Sequence, residues 1–247
     1  MSATNKKAKW WIFAITTFFI FVVLQVPASW LIAKFYKNNH VLHNVSGNLW
    51  QGQADWQRGE LKGSLTWHVR PWEILLLRAA AQLEIHSGQT QLDGKFAYGI
   101  GKTLYLRDLN GKISPDVLQH IAAGQWPDSP IELQDVQLNY KKNEGFTQAE
   151  GAMHWLGGEM RYGQYDQQEL IRVPNLLAKL SQDQQKLNVD VRDNRNQKML
   201  NIVLDPSLML DVQVTQRFLL NAPSYQGQAG LDTYVISSRQ PLLRGGV

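Results

Sequence analysis

The sequence predicts a mainly β protein: one N-terminal transmembrane helix, then an antiparallel β-sheet domain with a single short helix. Three observations carry this expectation. No residue between Lys9 and Lys34 is charged. From Trp50 onward apolar and polar residues alternate with period two. Turn formers such as Arg58-Gly59, Asn110-Gly111 and Gly157-Gly158 divide the alternating stretches.

The uncharged run, WWIFAITTFFIFVVLQVPASWLIA, has 24 residues. As one helix it would extend about 36 Å, enough to cross a bilayer core with some tilt. Trp10 and Trp11 at one end, and Trp30 and Tyr36 at the other, stand where amphipathic rings rest in the headgroup region. A cleaved signal peptide ending near Val26-Pro27-Ala28 is the competing reading, but the run exceeds the usual apolar core of such peptides and Pro27 suits cleavage poorly. Lys6, Lys7 and Lys9 precede the run and place the N-terminus in the cytoplasm. The expected organisation is a cytoplasmic tail over 1–9, a membrane helix over 10–33 and an external, periplasmic domain over 34–247. That domain divides into two related halves, about 41–125 and 131–247.

Charge restricts function. Of 247 residues, 25 are basic and 21 acidic; with three lysines and no acid before residue 34, the remainder is almost neutral. A domain without a basic face does not neutralise phosphates, which excludes a nucleic-acid partner. There is no cysteine, so disulfides, thiolate metal sites and thiol catalysis are excluded.

The strands follow in order. Trp50, Gly52, Ala54 and Trp56 share one face, and after Arg58-Gly59 the residues Leu61, Gly63, Leu65, Trp67 and Val69 continue it, which predicts a hairpin. Ala79, Ala81, Leu83 and Ile85, then Leu92, Phe96 and Tyr98, then Leu104 and Leu106 up to Asn110-Gly111 extend the pattern. Ser114-Pro115 opens a short helix ending at Gly124, and Trp126-Pro127-Asp128-Ser129-Pro130 is a joint. Strands resume through Leu138 and Tyr140, a turn at Asn143-Glu144-Gly145, then Ala149 to Trp155, and Met160 with Tyr162. Leu187 to Val191, Leu200 to Leu204 and Leu208 to Val214 supply three more. Leu176-Leu177-Leu180 fits either a helical turn or a strand. Gly63-Ser64-Leu65-Thr66-Trp67 recurs as Gly151-Ala152-Met153-His154-Trp155, a weak repeat that suggests related halves. Polar faces are solvated largely by 24 glutamines and 14 asparagines, so they stay soluble and nearly uncharged.

No catalytic constellation stands out. Gly99-Ile100-Gly101-Lys102-Thr103 imitates the end of a phosphate loop, but Phe96 occupies the position of the first glycine and a strand follows. The six histidines show no metal-ligand spacing, and no Gly-x-Ser-x-Gly occurs. Asp55, Glu60 and Asp93 read as solvated strand residues. No enzyme activity, catalytic residue, metal or cofactor is expected. The remaining candidates are Trp50, Trp56, Leu65, Trp67 and Trp155, which fall on the apolar face; they serve packing, or line a groove for lipid tails or a partner's segment.

The pieces Val45-Ser46-Gly47-Asn48-Leu49-Trp50-Gln51-Gly52, Leu61-Lys62-Gly63-Ser64-Leu65-Thr66-Trp67 with Arg70-Pro71-Trp72, and Trp155-Leu156-Gly157-Gly158-Glu159-Met160-Arg161-Tyr162 resemble the protein N family of the type II secretion system (general secretion pathway protein N). The resemblance implies a single-pass inner-membrane protein of a Gram-negative bacterium. Its periplasmic domain would be a non-enzymatic accessory of the machine that exports folded proteins across the outer membrane. Its partners would be other subunits of that system in the inner membrane and periplasm. The domain is also similar to the curved β-sheets of AsmA-like and lipopolysaccharide-bridge proteins, an analogy of fold that makes a lipid-binding or lipid-transfer groove the alternative function.

Overall fold

The computed structural model, which describes residues 4–35, 41–121, 127–162 and 169–242, corrects the single membrane helix expected over 10–33. The run forms two helices, α1 (Thr4–Leu24) and α2 (Ala28–Phe35). Pro27 causes the break: it has no N–H, and its ring would collide with the carbonyl of Val23 in a continuing helix. The freed carbonyls are taken by the following domain, since the Trp50 indole Nε1 donates to Val23 O at 3.1 Å and Leu49 N donates to Val26 O at 3.0 Å. Pro27 itself pairs with Asn48, and Ala28 is buried. Among the described residues no helix is long and apolar enough to cross a membrane. The uncharged part of α1, from Trp10 to Leu24, is about 22 Å long. Trp10 and Trp11 are exposed on α1, and Trp30 is exposed on α2 with Lys34 Nζ 4.7 Å from its ring centre. Tyr36 lies outside the described residues, as do Trp126 and Gly124, the expected start of the joint and end of the short helix.

Strands β1 (Leu42–Gly47), β2 (Gln51–Arg58) and β3 (Leu61–Val69) form a meander, with Gly59 at φ +63° in the β2–β3 turn. A 3-10 turn, Pro71–Leu76, leads into β4 (Arg78–Ser87), β5 (Thr90–Gly99) and β6 (Thr103–Ile113). Then come α3 (Pro115–Ile121), β7 (Ile131–Lys141), β8 (Gly145–Trp155), β9 (Gly158–Tyr162) and β10 (Glu169–Val173). Last are β11 (Leu176–Asp183), β12 (Lys186–Asp193), β13 (Lys198–Leu204), β14 (Met209–Thr215), α4 (Gln216–Leu219) and β15 (Tyr234–Pro241). Among the described residues, thirteen strands make one sheet in chain order, all antiparallel, while β9 and β10 pair only with each other. The strand reading of Leu176–Leu180 is the correct one. Gly157-Gly158 opens a hairpin that leaves the sheet, so β8 pairs directly with β11. Neither α4 nor the strands β1, β10 and β15 are foreseen by the pattern.

Register explains the two-faced character. One row of directly paired residues runs Ala54, Leu65, Ile85, Leu92, Gly111, Leu133, Met153, Ala178, Val191, Leu200, Val214 and Ile236, crossing every strand of the sheet after β1. The neighbouring row on the opposite face includes Thr66, Glu84, Asp93 and Asn110, and farther on Lys179, Asp190, Asn201 and Gln213. The densest core gathers Leu133, Val136, Leu176, Leu180, Val189 and Val191, with Met160 and Ile171 of the β9–β10 hairpin and Phe218 of α4 packed against it.

Asn110-Gly111 is not the expected turn. Strand β6 continues through it to Ile113 because two bulges keep the apolar residues on one face. In β6 the apolar set passes from Leu106 to Leu109, three residues, against Leu138 to Val136 on β7; the extra residue is absorbed at Asp108, φ +52°. In β7 the reverse happens at Asp135, φ +47°. Aspartate tolerates this left-handed conformation better than most residues. Asn110 ties the two bulges together, donating through Nδ2 to Asp135 Oδ1 at 3.1 Å and accepting from Asp135 N at 2.8 Å.

The Ser114-Pro115 helix start is present: Leu118 N donates to Ser114 O at 3.1 Å, and the Ser114 and Thr90 hydroxyls lie 2.6 Å apart, both buried. Gly111, at φ +135° in the middle of the apolar row, has room for no Cβ, which would stand 2.0 Å from Gln91 O. Gly111→Ala is expected to destabilise the domain by about 1–3 kcal/mol from backbone strain alone, read as a lower midpoint in denaturant titration; an unchanged midpoint would contradict the bulge account.

Candidate functional site

The glycines of the first hairpin explain how its tryptophans lie. Gly52 pairs with Trp67 and Gly63 with Trp56, each ring covering the glycine opposite. A Cβ on Gly52 would stand 2.4 Å from Trp67 Cζ2, and one on Gly63 2.9 Å from the Trp56 ring. Leu65 sits between Ala54 and Ile85 in the apolar row. Trp67 donates from Nε1 to Asn48 O at 3.2 Å, and Trp155 from Nε1 to Ser129 O at 3.1 Å, so the two repeated pentapeptides end in the same kind of tether. Each such bond contributes about 0.5–1.5 kcal/mol.

Of the five expected residues, only Trp50 lines the apolar groove. Its other walls include Val69, Ala81, Phe96, Tyr98 and Leu104, enclosing about 390 Å³. Trp56, Leu65 and Trp67 are half-buried on the strands beside it, and Trp155 packs against the core. The groove exists because Ala79 and Ala81 on β4 face Tyr98 and Phe96 on β5, small against large. That pairing is written in the sequence but becomes visible only once register is known.

On the opposite face of the same strands is a polar hollow of about 240 Å³ with Arg70, Arg78, Lys95 and Arg107 against Glu73 and Asp108. Lys95 forms an ion pair with Asp108, and Arg78 lies 4.5 Å from the centre of the Tyr105 ring. The carboxylates that chemistry might have used are occupied: Asp55 accepts from Asn44, Asp93 from Gln82, and Glu60 faces His120. His154 contacts Asn175 at 2.8 Å. Among the described residues no group of three or more His, Asp or Glu is placed to hold a metal ion. Gly99-Ile100-Gly101-Lys102 is the β5–β6 turn, closed by Lys102 N donating to Gly99 O at 3.0 Å.

His120 on α3 titrates above its ordinary 6.5, first because its Nδ1 bonds the Asp116 carbonyl and next because Nε2 stands 3.3 Å from the Glu60 carboxylate. The contact joins α3 to the β2–β3 turn. A raised pKa means that the imidazolium is favoured by folding, so its contribution is complete below about pH 6.5 and disappears as pH rises through the folded value. The melting-temperature difference between the native chain and His120→Gln is expected to shrink from about pH 5.5 to about pH 8.5. A difference independent of pH would rule out the tether.

The family model described as Type II secretion system (T2SS), protein N matches residues 38–229, which contain the sheet from β1 to β14 together with α4. No curated protein and no solved structure matches the chain.

Proposed function

The chain belongs to the type II secretion system protein N family, and from that premise we propose that it is a non-enzymatic inner-membrane accessory that scaffolds the secretion assembly. It is a component of the type II secretion machinery and associated with the cell envelope. The observation that carries the proposal is the extent of the family match, which takes in the sheet almost entire.

Physical features support the finer reading. Among the described residues, eleven large apolar side chains of α1 are exposed, from 44% at Val22 and Val23 to 73% at Trp10. Such a surface has no favourable place in water and a natural one in a bilayer. The proposed anchor is α1, single-pass, with Lys6, Lys7 and Lys9 on the cytoplasmic side. Its shortness is offset by snorkelling lysine stems and local bilayer thinning. The sheet then lies in the periplasm. A lone helix without a polar lining makes no pore, so its work is to hold the sheet at the membrane.

The sheet has two edges. At β1 the edge is packed by α2, whereas the outer edge of β15 pairs with no strand among the described residues. The proposed contact with other subunits is strand addition at β15. A right-handed twist of about 20–25° per strand pair curls a sheet of this width strongly, which is the curved form proposed for it.

A second reading treats the groove beside Trp50 as a cleft for an acyl chain, supported by its open, nearly all-apolar lining. It makes the domain a lipid-handling one.

Deleting the gene is expected to lower secretion of the exported proteins, and the tagged chain, crosslinked in cells, is expected to retain other secretion subunits. Unchanged secretion with none of those subunits retained would sink the scaffold role. For the second reading, mass spectrometry of gently purified protein should find lipid that Phe96→Glu removes without lowering the melting temperature; lipid at detergent background in the native chain ends it.

A further inference from the structure

Two sequence elements remain without a role: Arg70-Pro71-Trp72 and the false phosphate loop Gly99-Ile100-Gly101-Lys102-Thr103. The antiparallel register brings them to one place. Val69 pairs with Ala81, Arg78 with Gly99 and Tyr98 with Leu104, so the turn after β3 and the turn between β5 and β6 lie at the same end of the sheet. It is also the end where α1 joins. Gln51, at the start of β2, pairs with His68 near the end of β3, and Trp50 just before it bonds Val23 O at the last turn of α1.

At this end, among the described residues, large apolar side chains point outward: Trp72 is 62% exposed, Leu77 64% and Ile100 74%. Leu77 and Ile100 are held in place. Ile100 N donates to Leu77 O at 3.3 Å, and Leu77 and Lys102 take left-handed backbone angles, φ +58° and +57°. Bulky residues rarely adopt that conformation, and here it keeps Leu77 out of the core. Cations lie at the same end. Arg78 lines the hollow that holds Leu77 and Ile100, Lys102 follows in the same turn, Arg70 stands at the end of β3 near Glu73, and Lys141, paired with Thr103 and bonded to Glu144, brings Lys142 to this end. Basic side chains around an exposed tryptophan and aliphatics are what an anionic membrane surface recognises.

We propose that this rim, with Trp72, Leu77 and Ile100 at its tip, seats in the headgroup region of the bilayer that holds α1. The inference rests on the reading of α1 as the membrane element, and it is continuous with that element through the Trp50–Val23 bond. Two attachments, helix and rim, fix the tilt of the sheet against the membrane. They also turn the mouth of the apolar groove, whose wall residue Tyr98 adjoins Ile100, toward lipid.

The absence of cysteine permits a direct test, since each introduced thiol is unique. The full chain, carrying Phe18→Cys, Ile100→Cys or Gln89→Cys with a nitroxide label, is reconstituted in vesicles of phosphatidylethanolamine and phosphatidylglycerol. Collision rates with oxygen and with a water-soluble nickel chelate are then compared. Gln89, in the β4–β5 turn, is the control because it lies about 30 Å away, a strand length. The Ile100 label is expected to show an oxygen-to-nickel ratio at least about twofold above that of Gln89, reduced by Arg78→Gln with Lys102→Gln. A Phe18 label in lipid with an Ile100 label matching Gln89 overturns the rim and leaves the anchor. Both labels in water overturn both. Ile100 in lipid with Phe18 in water supports the rim and removes the anchor. An Ile100 label shielded from both reagents marks contact with a second copy and overturns the proposal.

Discussion

The whole architecture depends on keeping apolar side chains on one face through thirteen antiparallel strands. In a strand the side-chain period is two, and a slip of one residue sends every apolar group to the opposite face. The sequence of β6 and β7 contains such a slip: Leu104 and Leu106 stand at even positions, Leu109 and Ile113 at odd ones, and β7 changes in the same way between Val136 and Leu133. The bulges at Asp108 and Asp135 absorb it, and Asn110 fastens one to the other. With the face preserved, the sheet runs without interruption from β1 to β15.

A continuous apolar face must be covered, and this molecule covers it unevenly. Over β7, β8 and β11–β13 the face is packed beneath the β9–β10 hairpin and Phe218. Over β2–β6 it is only half-buried, and small residues on β4 leave the groove beside Trp50. The uneven cover separates a stabilising region from one available for contact. On the polar face, pairs such as Lys95–Asp108 and Arg192–Asp190 offset part of the charge locally.

The junction with the N-terminal helices couples the domain to its surroundings. Pro27 frees carbonyl groups at the end of α1, and Leu49 and Trp50 satisfy two of them. This places the first strands against the helix terminus instead of leaving a loose linker at the break. On the proposed reading, a junction of this kind would present one end of the sheet toward the membrane and leave the β15 edge for pairing.

By itself the sequence determined the mainly β, antiparallel character, most of the strands, the Ser114-Pro115 helix start and the lack of catalytic motifs, since these depend on local periodicity and turn chemistry. The elements that it misplaced are governed by distant partners. Asn110-Gly111 looks like a turn because the local signal for a turn and for a bulge is the same; only β7 decides between them. The break in the uncharged run 10–33 is local to Pro27, but only the tertiary structure shows that Asn48, Leu49 and Trp50 take up the groups freed there. Trp56, Leu65 and Trp67 share the face of Trp50 but not its groove, because groove walls are set by cross-strand pairing of Ala81 with Phe96 and of Ala79 with Tyr98. Strand β15 alternates too weakly to announce itself and forms because β14 offers an unpaired edge. Tertiary structure decided these points because register relates residues far apart in the chain, and no single stretch of sequence contains it.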